Sequence, residues 1–265
     1  MENVVVIPIY KKVISETEIV SFKRCFEVLG KHDIVLIAPQ TLDLSFYFSL
    51  VNTELKIERF EDHYFQDIAG YNSLMLSVEF YERFSNYNYM LLYQLDSYVF
   101  RDELDYWCKR SYDYIGAPWL FSDFFSWLHL QSKTYKFKLF IRRLIDNYLL
   151  KKGRLVLNHF LLIYHVGNGG FSLRNIKKFV AVLKTTELNI IDKYKNSDCT
   201  NSIFNEDVFW SFEAKGIRKP NYKKATKFSL EDSVDMGIGF NNGVLPFGCH
   251  AWDKNYHYWE NIIKL

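Results

Sequence analysis

The sequence has few of the features that mark several common protein classes. Its 265 residues include only 5 prolines and 12 glycines, which is typical of a globular chain. The 4 cysteines are scattered and form no C-x-x-C pair, which excludes a zinc ribbon and indicates reduced thiols. No apolar run reaches the roughly 18 residues of a membrane span, and the N-terminal apolar stretch is too short for a signal peptide. We therefore expect a cytoplasmic protein that is at most peripheral to a membrane.

Two nucleotide-binding motifs are also missing. No G-x-G-x-x-G follows the first predicted strand, and there is no Walker lysine, which disfavours an ordinary Rossmann dehydrogenase and a P-loop ATPase. The net charge of +2 argues neither for nor against a nucleic-acid partner. Aromatic residues, in contrast, make up 18% of the chain. They fill cores and also stack on sugar rings and bases, so they are compatible with several ligands.

Apolar runs alternate with helical patterns along the first part of the chain. The runs predict strands over residues 4–10, 33–39, 55–60 and 87–93. Ser15 and Glu18 form a capping box, which predicts a helix that ends near Gly30. Another helix is predicted over residues 71–81. Strands that alternate with helices at this spacing indicate an α/β fold with mainly parallel pairing.

The strand predicted over residues 87–93 is continuously apolar and then stops on Gln94, Asp96 and Ser97. A continuous apolar run suits a strand that is buried on both faces of a sheet. Ligands gather at the carboxyl ends of such strands, where Asp96 would reach a cation or a sugar hydroxyl. The alternative is that Asp96 caps a helix suggested by residues 102–110. The local sequence leaves both interpretations open.

The pattern changes between a short predicted strand at 113–119 and residue 163. Within residues 132–154 a single acid, Asp146, opposes a set of basic residues. These are Lys133, Lys136, Lys138, Arg142, Arg143, Lys151, Lys152 and Arg154. One predicted helical face carries Phe137, Phe140, Ile141, Leu144 and Tyr148. Such a basic amphipathic helix suits a membrane surface with anionic lipids, and the alternative is a helix packed on the core with a solvated basic rim.

Three later segments carry candidate functional residues. Residues 165–174 include three glycines in four positions, which permit close approach of the backbone to a ligand or a positive φ, although a plain turn is the alternative. Glu206 and Asp207 stand at a predicted helix start, where capping would also explain them. His250 lies in a predicted C-terminal loop, and a lone histidine is commonly structural.

Five blocks, taken in order, resemble one known family. YQLDS, DYIGAPW, GNGGFSLR, NEDVFW and PFGCHAW are similar to blocks of bacterial and viral proteins that are assigned to glycosyl transfer and known mainly under a domain-of-unknown-function label. That family looks like the GT-A glycosyltransferase superfamily, and the resemblance covers roughly residues 4–252. It implies a single domain over residues 1–265, with a mixed, mostly parallel central sheet flanked by helices and an insertion at about 120–163. It also implies transfer of a sugar from a nucleotide donor to an acceptor hydroxyl.

The resemblance implies a donor site. The D-x-D metal motif of GT-A enzymes falls on Gln94, Leu95 and Asp96, so the first acid has become an amide. Asp96 and His250 are then the implied ligands of Mn²⁺ or Mg²⁺, and a metal-independent site is the alternative. The residues implied in donor or acceptor binding are Gln94, Asp96, Ser97, Trp119, Asn168, Gly169 and Gly170.

The NEDVFW block resembles the x-E-D block of inverting GT-A enzymes. This implies that Asp207 deprotonates the acceptor hydroxyl, with Glu206 orienting the acceptor or capping the helix. The expected enzyme is an inverting hexosyltransferase that uses a nucleotide-sugar donor, and a UDP-sugar is the preferred candidate for that donor. Its products would be surface glycans such as lipopolysaccharide, capsule or O-antigen, built on a glycan or lipid-linked acceptor, with no nucleic-acid partner. The alternatives are a nucleotidyl- or phosphotransferase and a non-catalytic carbohydrate-binding protein.

Overall fold

The computed structural model describes residues 2–120, 132–151, 159–195 and 202–265, which form two sheets and the helices around them. The strands are β1 (Asn3–Pro8), β2 (Asp33–Pro39), β3 (Lys56–Phe60), β4 (Tyr89–Tyr93), β5 (Tyr98–Val99), β6 (Tyr114–Pro118), β7 (Val166–Asn175), β8 (Ser229–Leu230) and β9 (Gly248–Cys249). The helices are α1 (Glu16–Leu29), α2 (Ser45–Phe48), α3 (Ile68–Met75), α4 (Val78–Glu82), α5 (Leu104–Lys109), α6 (Lys133–Lys151), α7 (His159–Leu162), α8 (Ile176–Thr185), α9 (Leu188–Lys195), α10 (Glu206–Val208), α11 (Tyr222–Ala225), α12 (Val234–Phe240) and α13 (Tyr256–Trp259). Short 3-10 helices occupy Asp62–Phe65 and Ser202–Phe204, and a π-helix occupies Phe209–Glu213.

The main sheet has six strands in the order β3-β2-β1-β4-β7-β6. Strands β1 to β4 pair in parallel, whereas β7 is antiparallel to both of its neighbours. Because β4 and β6 are both antiparallel to β7, five of the six strands run the same way. The predicted mixed, mostly parallel sheet is therefore confirmed.

The central strands are buried on both faces, as their apolar sequences predict. In β1, Val5 and Ile7 belong to a core that includes Phe22 of α1, while Val4 belongs to a second core with Phe80 of α4. All five residues of β4 are buried as well. Each large aliphatic side chain buried in this way stabilises the fold by roughly 1.5 to 3 kcal/mol, so the sheet is held between two apolar layers.

The first helix has the ends that its sequence predicts. The hydroxyl of Ser15 accepts a hydrogen bond from the Glu18 N–H, and the Glu18 carboxylate accepts one from the Ser15 N–H at 2.8 Å. This reciprocal pair satisfies two of the N–H groups that a helix start leaves free. Gly30 follows the last helical residue with a φ of −63°, so the helix ends there without a left-handed residue.

The helix predicted over residues 71–81 is in fact two helices, α3 and α4. Ser77 separates them, because its hydroxyl donates to the Leu74 carbonyl at 2.9 Å and accepts from the Phe80 N–H at 3.1 Å. The same side chain thus ends one helix and caps the next. The single helical period in the sequence does not reveal this change of direction.

The predicted basic helix is present as α6, between β6 and β7 in the chain. Lys152 and Arg154, which the sequence also assigned to this basic segment, lie outside the residues that the structure describes. In the described ranges, none of the helices combines the length and the apolar character needed to cross a bilayer.

Candidate active site

The candidate site lies at the carboxyl edge of the parallel strands. Asp96 follows the end of β4 in a tight turn, closed by a hydrogen bond of 2.9 Å from the Ser97 N–H to the Gln94 carbonyl. The chain then enters β5, which pairs with β9 through Tyr98 and Cys249. Because His250 is the next residue after β9, this pairing sets its side chain beside Asp96.

Asp96, His250 and Glu231 form a chain of contacts. The Nε2 atom of His250 lies 3.1 Å from Oδ1 of Asp96, and its Nδ1 atom lies 3.1 Å from Oε1 of Glu231. His250 is 9% exposed, whereas the Asp96 side chain is 31% exposed. The imidazole is thus held from both sides, and the Asp96 carboxylate is the more accessible end of the chain.

The charges of Asp96, His250 and Glu231 stabilise one another. Burial acts to lower the pKa of His250, but the carboxylates of Glu231 and Asp96 outweigh it and raise that pKa to about 10. Burial acts to raise the pKa of Asp96, yet the hydrogen bond and the positive charge of His250 hold it below its usual value. The two carboxylate neighbours of His250 therefore favour the protonated form of its imidazole.

Gln94 occupies the place of the missing acid and connects three parts of the site. Its Oε1 atom lies 3.1 Å from Nε2 of His250, and its Nε2 atom donates to the hydroxyl of Tyr71 at 2.9 Å. Its backbone N–H donates to the Gly170 carbonyl at 2.8 Å. An amide is both a donor and an acceptor, whereas a carboxylate would have no N–H for the tyrosine.

The glycine-rich segment was predicted as a loop or a turn, and this is wrong: it is strand β7. It pairs with β4 on one side and β6 on the other, so its backbone groups are used in the sheet. Neither Gly169 nor Gly170 has a positive φ. Their role is close approach, since a Cβ at Gly169 would contact Glu206 and one at Gly170 would overlap His250.

Asn168 connects β7 to Glu231, the carboxylate that contacts His250. Its Nδ2 atom donates to Glu231, and its Oδ1 atom accepts from the Gly170 N–H at 3.2 Å. The residue is 8% exposed. Asn168 therefore fixes the carboxylate that in turn holds His250.

A buried ion pair lies on the other side of the glycines. Nη2 of Arg174 donates to Oε1 of Glu206 at 2.8 Å, with the two side chains 0% and 5% exposed. Arg174 also donates to the hydroxyl of Tyr81 at 2.9 Å. The second carboxylate oxygen of Glu206 is buried and has no hydrogen-bond partner among the described residues. The Glu206 backbone N–H donates to the side chain of Asn72 at 3.1 Å.

Asp207 differs from its neighbour because it is partly exposed and has no basic partner among the described ion pairs. Burial first, and then the charges of Glu206 and Glu231, raise its pKa to about 8. One of its oxygens accepts from the Val208 N–H at 2.7 Å, so it does interact with the helix start. A carboxylate whose pKa is raised to this range is suited to proton transfer near neutral pH.

Two predicted ligand-binding residues have mainly internal contacts. Ser97 is fully buried, and its hydroxyl donates to the Gly170 carbonyl at 3.1 Å, which ties the turn to β7. The ring of Trp119 packs so closely on Gly167 that a Cβ there would overlap it. The structure brings Gln94, Asp96 and His250 together with β7, but it gives Ser97 no free polar group to offer a ligand.

The alternative explanation of Asp96 as a helix cap is wrong. Helix α5 begins at Leu104, and the side chain that accepts the Leu104 N–H, at 3.1 Å, is that of Asp102. Asp96 instead meets His250, its partner across the small sheet.

The donor set at Asp96 and His250 fits a cation that takes most of its ligands from elsewhere. Within the described ranges there is no group of three or more histidine, cysteine and acidic residues suited to a metal ion. The Asp96 carboxylate oxygen and the Gln94 amide oxygen nevertheless both lie 3.1 Å from Nε2 of His250. This mixture of oxygen and nitrogen donors suits Mn²⁺ better than Mg²⁺.

Sequence reasoning missed Glu231, Arg174 and Tyr71 as site residues. Glu231 follows a two-residue strand that no periodic pattern reveals. Arg174 lies in the segment predicted as a loop or a turn, where an arginine does not indicate a buried acidic partner. Tyr71 was taken only as an apolar position of a helix.

Comparison with known proteins gives the fold and the family. The family described as "Protein of unknown function (DUF5672)" matches residues 54–250. No curated protein matches the sequence. The galactosyltransferase LgtC, in complex with donor and acceptor sugar analogs, is 13% identical with a TM-score of 0.51, over 93% of this chain and 86% of that one.

Two further solved structures are less similar. Core-mannan synthase A from Aspergillus fumigatus, in its Mn/GDP form, is 10% identical with a TM-score of 0.43, over 69% of this chain and 63% of that one. The glycosyltransferase GlyE of Streptococcus pneumoniae TIGR4 is 13% identical with a TM-score of 0.47, over 94% of this chain and 54% of that one. The chain thus spans less than two thirds of each of these proteins. The likeness to LgtC confirms the predicted GT-A fold, and the family match shows that the chain belongs to the DUF5672 family.

Proposed function

We propose that the protein is a nucleotide-sugar-dependent glycosyltransferase that moves a hexose to an acceptor hydroxyl with inversion. The observation that carries the proposal is the meeting of Asp96 and His250, 3.1 Å apart, at the carboxyl edge of a GT-A sheet. Asp207, whose pKa is raised, lies across the glycine pair at the same edge. The fold alone would not support a reaction, because folds host many functions.

The donor binds beside Asp96. Asp96 and His250 would hold a divalent cation, for which we prefer Mn²⁺ to Mg²⁺, and Nε2 of His250 would lose its proton because only a neutral imidazole binds a metal. Such a cation would neutralise the charge on a leaving diphosphate. Gln94 and Asn168 set the position of His250 and Glu231 through their side-chain amides. Gly169 and Gly170 let Glu206 and His250 lie directly against β7, and the proposal places the transferred sugar beside this segment. The donor nucleotide of the proposal is UDP.

Asp207 acts as the base for the acceptor. The acceptor oxygen forms a bond to the anomeric carbon, the bond from that carbon to the diphosphate oxygen breaks, and the hydroxyl proton passes to Asp207. Its raised pKa supports this role, since a stronger base takes the proton more readily. Glu206 is neutralised by Arg174, so we assign it to positioning rather than to proton transfer.

The proposal also covers the domain organisation, the location of the enzyme and its acceptor. The chain is one catalytic domain over residues 1–265 with an insertion at about 120–163. It acts at the cytoplasmic face of a membrane on a glycan or lipid-linked acceptor, in the synthesis of surface polysaccharide such as lipopolysaccharide. The presence of a basic amphipathic helix in the insertion supports this location.

Calorimetric titration with UDP, GDP and CDP, each with Mn²⁺ and with EDTA, tests the donor site. We expect selective binding of UDP that EDTA and Asp96→Ala both abolish, while Asp192→Ala, an exposed acid on α9, binds like the wild type. Binding that ignores EDTA would remove the metal from the proposal. Binding of a nucleotide without turnover of any nucleotide-sugar would favour a nucleotidyl- or phosphotransferase, and binding of none would favour a non-catalytic protein.

The stereochemical part needs its own measurement. Proton NMR of the first product, recorded before the anomers equilibrate, gives the configuration at the anomeric carbon. Inversion relative to the donor agrees with Asp207 as base. Retention would overturn that assignment and leave the donor site in place.

A further inference from the structure

Helix α6 exposes its apolar side chains to solvent. Six of them are between 39% and 65% exposed, and they recur every three or four residues, so they form one stripe along the helix. They are Phe137, Phe140, Ile141, Leu144, Ile145 and Tyr148. A helix of 19 residues is about 28 Å long, so the stripe is too large to be a chance exposure of single residues.

The rest of the described surface has no comparable cluster of exposed apolar side chains. Of the 16 exposed large apolar side chains in the described residues, these six lie on one helix, and the others are spread over distant segments. Scattered apolar residues are normal on a soluble protein, whereas a continuous patch marks an interaction site. The alternative in which this apolar face packs on the core is therefore wrong for these six residues.

The charge of the helix tells which partner fits the stripe. Its sequence contains six lysines or arginines and one acid. Two of the basic side chains, Lys138 and Arg142, are exposed next to the stripe. A second copy of the helix would bring positive charges against positive charges. An anionic lipid surface instead offers an apolar layer beneath a layer of negative headgroups, which matches both features at once.

We propose that α6 lies on an anionic lipid bilayer, with its apolar stripe in the boundary between headgroups and acyl chains and its basic residues on the lipid phosphates. The helix lies along the surface rather than spanning it, because no described helix has the character of a membrane span. The aromatic side chains of Phe137, Phe140 and Tyr148 suit this boundary, where the apolar acyl chains meet the polar headgroups.

The position of the helix in the fold relates this contact to the candidate site. The insertion leaves the main sheet after β6 and returns at β7. Tyr93, at the end of β4, pairs with Phe171, so residues 166–170 at the start of β7 extend beyond the carboxyl edge. Because both strands that flank α6 along the chain belong to the sheet that carries Asn168, we place the lipid anchor of the acceptor in the same bilayer as α6. This last step rests on the proposed function, since it assumes a lipid-linked acceptor, but the lipid binding itself does not.

Vesicle co-sedimentation of the full chain tests the proposal. The probes are vesicles with about one third phosphatidylglycerol and vesicles of pure phosphatidylcholine. We expect the partition coefficient to be at least about tenfold higher on the anionic vesicles and to fall by a similar factor in high salt, where screening is strong. Equal binding to both vesicles, or binding to neither, would overturn the proposal.

Variants on and off the helix identify the surface involved. Phe140→Ser with Leu144→Ser should lower the partition coefficient by about tenfold or more, because less apolar area enters the bilayer. Leu188→Ser with Val244→Ser removes side chains that are 74% and 58% exposed elsewhere, and it should bind like the wild type. Lys138→Gln with Arg142→Gln should weaken binding only on anionic vesicles. An equal loss in the control pair would assign the contact to another surface.

Two further readouts separate the possible causes of a negative result. Light scattering of the wild type without lipid should show a monomer, and a dimer that the stripe variant abolishes would mean that a second copy covers the stripe. Nucleotide affinity of the stripe variant, measured by calorimetry, should equal that of the wild type. A wild-type protein that binds nucleotide but does not bind anionic vesicles would refute the membrane contact and leave the proposed transferase in place.

Discussion

Nε2 of His250 lies 3.1 Å from Oδ1 of Asp96, although Asp96 precedes β5 and His250 follows β9 of the small sheet. Their meeting depends on the pairing of β5 with β9 and on Glu231, which holds the opposite nitrogen of the imidazole at 3.1 Å. The imidazolium is thereby stabilised by two carboxylates, one of them absent from the sequence-based site. Glu231 is the residue whose role here is most directly testable.

Replacing Glu231 by Gln should lower the pKa of His250 from its value of about 10 towards that of an ordinary histidine, because one of its two negative partners is removed. Nitrogen-detected NMR titration of the imidazole measures this. The exposed Asp192→Asn variant serves as the control and should leave the titration unchanged. A His250 pKa that is the same in both variants would mean that Glu231 does not hold the imidazole in solution.

The same group makes stability depend on pH. The folded pKa of His250 lies above its unfolded value, so its contribution is fully present below about pH 6.5 and is lost as the pH rises towards 10. We expect the free energy of unfolding from urea titrations to fall over this window in the wild type and to fall less in Glu231→Gln. Identical slopes in the two proteins would contradict the assignment.

Asp207 should make the reaction rate rise with pH. Its pKa is raised to about 8, so at neutral pH much of it is protonated and unable to accept the acceptor proton. We expect log kcat/KM to rise with a slope near one up to about pH 8 and then to level off. Asp207→Asn should lower kcat by at least about a hundredfold with little change in donor affinity. A flat profile between about pH 6 and 9 would mean that another group is the base.

The same carboxyl should cost stability at the pH where it works. Since its folded pKa lies above the unfolded one, folding favours the neutral form, and stability is lost as the pH rises from about 4 to 8. Asp207→Asn removes the ionisation, so we expect a higher melting temperature than wild type at pH 8 and a smaller difference at pH 5. Calorimetric melting at both values measures this. A variant that melts earlier than wild type at pH 8 would refute the raised pKa.

The sequence was sufficient for features that depend on neighbouring residues. The capping box of Ser15 and Glu18, and the strand that ends before Asp96, follow from local patterns and are present as predicted. The parallel pairing of β1 to β4 then follows from the alternation of strands and helices. Asp96 could be singled out because the end of a buried strand is a position that can be located in the sequence.

Features that depend on distant pairing could not be predicted in the same way. Strands β8 and β9 have two residues each, and they exist only because they pair with each other and with β5. Glu231 owes its position to β8, and so no local pattern indicates it. The glycine segment looks like a loop by composition, but pairing on both sides by β4 and β6 makes it a strand.

The buried pair of Arg174 and Glu206 should be expensive to break. Arg174→Met would leave the Glu206 carboxylate buried without its cation, and we expect a loss of about 3 to 5 kcal/mol in the free energy of unfolding. The double variant with Glu206→Gln should recover part of it. Lys184→Met breaks an exposed pair with Glu82, 55% and 50% exposed, and should cost less than about 1 kcal/mol. Urea titration compares them, and equal losses for the two single variants would contradict the burial argument.

Gly170 should tolerate no side chain, because a Cβ there would overlap the imidazole of His250. Gly170→Ala must therefore push His250 away from Asp96 and Glu231. We expect a loss of about 1 to 3 kcal/mol in stability and at least a tenfold loss of metal-dependent nucleotide affinity. Gly239→Ala is the matched control on α12, where the added Cβ has no neighbour within 4 Å and should stabilise the helix by about 0.5 to 1 kcal/mol.

Urea titration and calorimetry with Mn²⁺ and UDP, run on both glycine variants, separate the two effects. The expected pattern is loss of affinity in Gly170→Ala alone, since only that methyl group reaches the imidazole. If Gly170→Ala bound the nucleotide as tightly as the wild type, then the contact of His250 with Asp96 would not be needed for the donor. His250 would in that case be a structural residue, held by Glu231, and the cation would depend on Asp96 alone.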